Sequence, residues 1–82
     1  MNSDTSETEL EYRKKLMARI VKLRKDKEMS QETLANESHI ARSLMRGYER
    51  NERNISYNNL VRIIKFGLKM SIEDFFSEGF DK

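Results

Sequence analysis

The chain has 82 residues, which is enough for one small domain and leaves no room for a separate ligand-binding domain. It contains three glycines, one histidine, no proline and no cysteine. This composition excludes a disulfide framework, a thiolate nucleophile, a cysteine zinc site and a metal site built from several histidines. No apolar run approaches the roughly 20 residues of a membrane span, and the polar, acidic N-terminus is unlike a secretory signal. We therefore expect a soluble, cytoplasmic, mostly helical domain.

The net charge of +2 conceals three blocks of different sign. Residues 1–11 carry four acidic side chains and sum to −4. Residues 12–70 carry 15 Lys and Arg against 6 Asp and Glu, a sum of +9, and residues 71–82 sum to −3. A basic body between two acidic ends favours a polyanionic partner, although a solvated, lysine-rich helical surface has the same composition.

Hydrophobic periodicity predicts an all-α fold of about five helices. Residues 1–8 are interpreted as a disordered acidic tail, and a capping box that starts at Ser6 or Thr8 opens the first helix. This helix runs to about Lys27. Its apolar stripe consists of Leu16, Ile20 and Leu23, with Met17 and Val21 beside it. We expect the folded domain to cover residues 9–78 and a C-terminal tail to follow at 79–82.

Serine residues precede three of the later helices and predict their N-caps. Ser30 stands before a short second helix, Ser56 before the fourth helix and Ser71 before a short fifth helix. The second, third and fourth helices are predicted at about 31–38, 41–49 and 57–67.

Residues 29–56 contain two short helices, joined by a tight turn within residues 31–49, and then a basic loop. This spacing is that of a helix-turn-helix. Ala35 is small where the two helices cross, and Ile40 and Met45 are apolar where the space between them has to be filled.

Two positions at the turn depart from the usual chemistry. His39 stands where the backbone has to be left-handed, and histidine is among the non-glycine residues that tolerate this conformation. Ala41 stands where a serine or threonine cap is expected.

Two motifs are the most specific in the chain: MSQE followed by LA at 29–35, and ERNxRN at 49–54, which follows Gly47. Through them the chain resembles the Cro/repressor type (XRE-like) of helix-turn-helix protein over about residues 16–76. Within that type it most resembles the small controller proteins of restriction-modification operons. The resemblance implies a lambda-repressor-like DNA-binding domain, and the segment Phe66–Met70 is one residue longer than the family's usual end to the fourth helix.

The resemblance implies DNA contacts in the helix-turn-helix. Gln31 matches a position that meets the DNA backbone or an outer base, near the N–H groups of a helix N-terminus. Arg42 and Ser43 open the recognition helix, which enters the major groove. Arg42 is the candidate for a bidentate contact to guanine O6 and N7, with a phosphate contact or an ordinary surface position as alternatives. The Ser43 hydroxyl is expected to contact either a base edge or a phosphate.

Further contacts are implied at the end of the recognition helix. Arg46 lies four residues after Arg42, so both point to one side, toward phosphate or solvent. Arg53 and Asn54 match loop positions with which controller proteins touch DNA. Gly47 either allows a close approach to DNA or to a neighbouring segment, or marks fraying of the helix.

Other residues are assigned to structure. Arg24 and Glu49 match a pair that forms a salt bridge between the first and third helices in many relatives, by which the recognition helix is oriented. Tyr48 is interpreted as a core residue and Asn51 as a helix C-cap. His39 is interpreted as a turn residue, because a general acid–base site needs a partner and a pocket.

Phe75, Phe76 and Phe80 give the C-terminal segment more aromatic side chains than a small core needs. Core packing accounts for one or two of them. The resemblance implies a homodimer with an interface on the fourth and fifth helices, to which we assign these residues. A palindromic operator would then mirror the two-fold axis.

These observations predict a homodimeric, sequence-specific regulator of transcription that binds double-stranded promoter DNA and blocks or contacts RNA polymerase. They predict no enzyme activity, no cofactor, no metal and no membrane. Two alternatives stay open. One is an antitoxin-type regulator whose DNA-binding domain also binds a toxin, and the other is a helical protein-interaction module.

Overall fold

The computed structural model describes residues 3–81, with side chains from residue 5 onward. No strand is present in this range, and the all-α prediction is confirmed. The chain order of the helices is α1 Ser3–Asp26, α2 Gln31–Ser38, α3 Arg42–Glu49, α4 Tyr57–Arg62 and α5 Ile72–Phe75, with a π-helical turn Ile63–Gly67 continuing α4. None of the helices within residues 3–81 is long and apolar enough to cross a membrane.

Helix α1 starts earlier than the sequence predicts. Of the tail predicted at 1–8, residues 1–2 lie outside the described residues and residues 3–8 are helical. Acidic side chains are favoured near a helix N-terminus by the helix dipole, and no glycine or proline interrupts this segment. The predicted capping box therefore lies inside the helix instead of opening it.

Five of the six helical segments within residues 3–81 contribute to one buried core. The exception is α4, whose residues are partly buried or exposed. Tyr48 is 2% exposed and its hydroxyl accepts a hydrogen bond from Asn59 Nδ2 at 2.8 Å, which confirms it as a core residue. The apolar residues of the core are Met17, Ile20, Leu34, Ala35, Ile40, Met45, Tyr48, Ile63, Ile64, Leu68 and Phe75.

The three predicted serine caps are confirmed. The Oγ atoms of Ser30, Ser56 and Ser71 each accept a hydrogen bond from the backbone N–H three residues later, at 3.0, 3.1 and 3.0 Å. Each bond satisfies one of the donors that a helix N-terminus otherwise leaves unpaired. At Ala41 the alanine side chain makes no such bond, and α3 begins without it.

The turn between α2 and α3 has the predicted left-handed residue. His39 has φ 61° and ψ 43°, and the Ile40 N–H donates to the Ala35 carbonyl at 2.9 Å. This geometry ends α2 at Ser38, and α3 begins at Arg42, after three intervening residues. Ile40 and Ala35 are buried, so the turn sets the angle at which α3 leaves the core.

The fourth helix ends in the π-helical turn Ile63–Gly67. The Leu68 N–H donates to the Ile63 carbonyl at 2.7 Å, a bond that spans five residues instead of four. Gly67 lies against α2: a Cβ atom added there would be 2.2 Å from Ser38 Oγ and 2.6 Å from Leu34 Cδ1. Close approach of the two segments therefore requires glycine at this position.

Lys69 links this turn to α2. Its Nζ donates to Glu37 Oε1 at 2.9 Å, and that hydrogen bond and charge hold the pKa of Glu37 below its ordinary value. Lys69 itself has a left-handed backbone, with φ 55°.

Residues 79–81 are packed against α1, although the sequence predicts a tail at 79–82, of which Lys82 lies outside the described residues. Phe80 lies against the core, and the Tyr12 hydroxyl donates to Asp81, a bond that raises the pKa of Tyr12. Arg19, which is 8% exposed, donates from Nε to the Phe75 carbonyl at 2.7 Å. Arg19 thereby caps the end of α5 and holds the segment that follows.

Candidate nucleic-acid interface

Helix α3 has two chemically different faces. Arg42, Ser43 and Arg46 are exposed, whereas Met45 and Tyr48 are buried in the core. The buried face fixes the helix on the domain. The exposed face presents two guanidinium groups and a hydroxyl to solvent on a single short helix.

Arg42 is held by a surface ion pair. Its Nη1 lies 3.1 Å from Glu32 Oε1, and the two side chains are 63% and 60% exposed. Exposed ion pairs of this kind contribute little free energy because water screens them. The guanidinium can therefore leave Glu32 for another partner at small cost.

A second ion pair joins α1 to the end of α3. Arg24 Nε and Nη2 donate to Glu49 Oε2 and Oε1 at 2.8 and 3.0 Å. The side chains are only 12% and 7% exposed. Arg24 also donates to the Met29 carbonyl at 2.8 Å, so one guanidinium ties together α1, the start of α2 and α3.

Gln31 belongs to the same network. Its Nε2 donates to Glu49 Oε1 at 2.9 Å, and its side chain is partly buried. The amide is thus oriented by the ion pair that holds α3.

The loop after α3 is folded back onto that helix. Asn51 has a left-handed backbone with φ 60°, and the N–H groups of Glu52 and Arg53 both donate to the Gly47 carbonyl, at 2.9 and 3.3 Å. A Cβ atom at Gly47 would lie 2.9 Å from Arg53 Cγ. Gly47 is therefore a close-approach position, and α3 continues past it to Glu49 without fraying.

Asn54 contacts a residue that sequence reasoning did not identify. Arg13 Nη1 in α1 donates to Asn54 Oδ1, across 41 residues of chain. Nothing in the sequence pattern indicates this contact, since Arg13 belongs to an ordinary charged stretch of α1.

The three C-terminal phenylalanines occupy different environments. Phe75 is fully buried within its own chain, so its assignment to a dimer interface was wrong: it is a core residue. Phe76 is 43% exposed, and Phe80 is partly buried. The Phe76 and Phe80 rings lie 5.0 Å apart and border a groove of about 800 Å³ between α1 and the C-terminal segment. The apolar side chains of this groove are Leu16, Ile55, Leu60, Phe76 and Phe80.

Among the side chains described, those of residues 5–81, no group of three or more His, Asp or Glu is placed to hold a metal ion. The polar surface is instead formed by two short helices, α2 and α3, which are joined by a left-handed turn. The exposed face of α3 carries arginines. These features define a helix-turn-helix domain of the DNA-binding type.

Comparisons with known proteins also identify a helix-turn-helix domain. A family model described as helix-turn-helix matches residues 20–67, and the chain belongs to the XRE-type helix-turn-helix family of DNA-binding regulators. No curated protein sequence matches the chain.

Two solved structures show the similarity in three dimensions. The wild-type restriction-modification controller protein C.Esp1396I has a TM-score of 0.74 and 39% sequence identity, over 78% of this chain and 83% of that chain. The tetramer of the same controller protein in complex with its natural 35 base-pair operator has a TM-score of 0.74 and 41% identity, again over 78% of this chain and 83% of that chain. The predicted likeness to controller proteins is confirmed.

Proposed function

We propose that this protein is a sequence-specific regulator of transcription that binds promoter DNA as a homodimer, with α3 of each copy in a major groove. The observation that carries the proposal is the exposed face of α3, where Arg42, Ser43 and Arg46 project from a helix fixed by its buried face. The ion pair between Arg24 and Glu49 holds the end of that helix. The two side chains of the pair are only 12% and 7% exposed. A recognition helix has to be held in this way, because hydrogen bonds to base edges depend on the orientation of its side chains.

Arg42 reads guanine in this proposal. A planar guanidinium matches guanine O6 and N7 bidentately, and discrimination of about 1–3 kcal/mol is typical of such a contact. Arg42 lies in the first turn of α3, the part of a recognition helix that reaches base edges. Ser43 contacts a base edge or phosphate beside it.

Arg46, Arg53, Asn54 and Gln31 contact the DNA backbone. Arg46 lies one helical turn after Arg42, and Arg53 and Asn54 extend the surface beyond the end of α3. Contacts to phosphate position a protein on its site and make binding strongly dependent on salt.

The neighbouring side chains of Phe76 and Phe80 form the surface at which two copies associate. This surface is apolar and lies on the C-terminal part of the fold, and the similar controller protein is a tetramer on its operator. A two-fold dimer implies a palindromic operator with half-sites about 34 Å apart. Binding within a promoter excludes RNA polymerase, and binding beside it allows direct contact. The mechanism needs no cofactor and no enzyme activity.

The experiment is a fluorescence-anisotropy titration with duplex from the region upstream of the protein's own gene, beside a scrambled duplex, at two salt concentrations. The wild type is expected to prefer the cognate duplex and to saturate at two chains per site. Arg42→Ala should lose that preference and keep the wild-type melting temperature. Arg42→Lys is the matched control: it keeps the charge and loses the bidentate geometry, so it should restore affinity for both duplexes without restoring preference. Equal wild-type binding to both duplexes would contradict sequence-specific recognition.

The antitoxin alternative places a protein toxin on the acidic, aromatic C-terminal segment. It predicts a chain that stays monomeric at micromolar concentration while still binding the cognate duplex. A protein-interaction module predicts no binding to either duplex even at low salt.

A further inference from the structure

Arg13 fixes which atoms Asn54 shows to solvent. The guanidinium of arginine contains donors only, so the atom of the Asn54 side chain that faces it has to be the amide oxygen. Arg13 Nη1 donates to Asn54 Oδ1 in the structure. The amide nitrogen is directed to the other side, and Asn54 is exposed.

We propose that Arg13 is a positioning residue for DNA binding, which locks the Asn54 amide with its NH₂ group toward the phosphate backbone. This inference rests on the proposed function, in which the loop after α3 meets DNA. Phosphate oxygens only accept hydrogen bonds, so an outward NH₂ group is complementary to them. The reversed amide would set its oxygen against the phosphate.

Contacts on both sides of Asn54 hold the backbone of the loop. On one side of Asn54, the Arg53 side chain lies on Gly47. On the other side, Ile55 packs against the core. The backbone position of Asn54 is therefore set by its neighbours, and Arg13 sets the rotation of its amide.

The environment of Arg13 favours a functional reason for its presence. The side chain is partly buried along the groove beside Leu16, and its Nε has no hydrogen-bond partner among the described residues. Burying a donor without a partner is unfavourable. The arginine is thus a poor choice for stability at this position, while its Nη1 makes the contact that orients Asn54.

The test is a double-mutant cycle on affinity for the cognate duplex. Asn54→Ala and Arg13→Met each remove one side of the contact, and Met keeps the apolar stem of the arginine. Each single variant is expected to bind about tenfold more weakly than the wild type, the loss of one hydrogen bond to a charged group. The double variant should bind no more weakly than the weaker single variant, because Asn54 contributes only when Arg13 orients it.

Two further variants separate positioning from charge and from folding. Arg13→Lys keeps the charge, and a single donor at that position should recover part of the affinity. Asn54→Asp keeps the bond from Arg13 and replaces the outward NH₂ with an anionic oxygen, so it should fold like the wild type and bind at least tenfold more weakly. Melting temperatures check the fold of each variant.

Losses that multiply in the double variant, or wild-type affinity of Asn54→Asp, would overturn the inference while leaving DNA binding established. A wild-type chain that fails to bind the cognate duplex would overturn the inference together with the proposed function.

Discussion

Gly47 lies directly beneath the side chain of Arg53, so that a Cβ atom on Gly47 would come within 2.9 Å of Arg53 Cγ. The missing side chain on α3 thereby determines where a loop arginine rests. Glycine inside a helix costs about 1 kcal/mol relative to alanine. Glycine at position 47 therefore lowers the stability of α3 and allows the Arg53 cation to lie at the proposed DNA surface.

Gly47→Ala is expected to affect stability and DNA binding in opposite directions. The free energy of unfolding should stay unchanged or rise by up to about 1 kcal/mol, since alanine favours the helix and the exposed Arg53 can move aside. Affinity for the cognate duplex should fall, and the slope of log K against log salt should become shallower by about 0.9 as one phosphate contact is lost.

Arg53→Ala provides the control for this change. In that background, Gly47→Ala should have no further effect on affinity or on the salt slope, because the displaced side chain is already absent. Urea unfolding and anisotropy titrations measure the two quantities. Wild-type DNA affinity in Gly47→Ala would contradict the role of the glycine.

The ion pair between Arg24 and Glu49 should contribute far more to stability than an exposed pair on the same helix. Arg24→Ala leaves the carboxylate of Glu49 nearly buried without its cationic partner, and a loss of about 3 kcal/mol is expected. Lys22 pairs with Asp26 at 3.0 Å, with side chains 63% and 57% exposed. Lys22→Ala should therefore cost less than about 0.5 kcal/mol. If urea unfolding gave equal losses of free energy for Arg24→Ala and Lys22→Ala, burial of the pair would not explain its contribution to stability.

Ser38 and Gly67 meet where α2 lies on the π-helical turn. Ser38 Oγ is buried, and no hydrogen-bond partner for it is found within residues 3–81. Ser38→Ala should leave the free energy of unfolding unchanged or raise it by about 1 kcal/mol, because it removes a buried, unpaired hydroxyl. Gly67→Ala should lower it by about 1–3 kcal/mol through overpacking against Ser38 and Leu34. Thermal or urea unfolding checks both, and a tolerated Gly67→Ala would be inconsistent with this packing.

Phe75 and Phe76 are adjacent in the chain and should respond differently to substitution. Phe75→Ala removes a fully buried ring and is expected to lower the free energy of unfolding by about 3–5 kcal/mol. Phe76→Ser should have a smaller effect on unfolding and should weaken self-association, as measured by sedimentation velocity over a range of concentrations. A dimer that persists unchanged in Phe76→Ser would place the interface elsewhere.

Features determined by residues close in sequence were predictable. The bond from Thr33 to the Ser30 cap and the left-handed turn at His39 depend on neighbours within a few positions, so their chemistry appears in the sequence. The pair of Arg24 and Glu49, which joins residues 25 apart, was predicted only through the resemblance to the family.

Features that depend on distant packing were not predictable. The contact between Arg13 and Asn54 joins segments 41 residues apart, and neither residue type demands the other. Helix α5 has four residues, too few for periodicity to distinguish the buried Phe75 from the exposed Phe76. The π-helical turn Ile63–Gly67 also depends on distant packing, because Gly67 lies against Ser38 and Leu34 of α2.

The proposed contact of Arg42 with guanine in the major groove can be tested by single-atom substitution of the operator. Each guanine of the mapped cognate duplex is replaced in turn by 7-deazaguanine, which lacks the N7 acceptor, and affinities of the wild type and Arg42→Ala are compared. The proposed contact predicts one guanine in each half-site at which the wild type loses about 1–3 kcal/mol while Arg42→Ala loses nothing. Wild-type affinity that is insensitive to the substitution at every guanine, or an equal loss in both proteins, would contradict it.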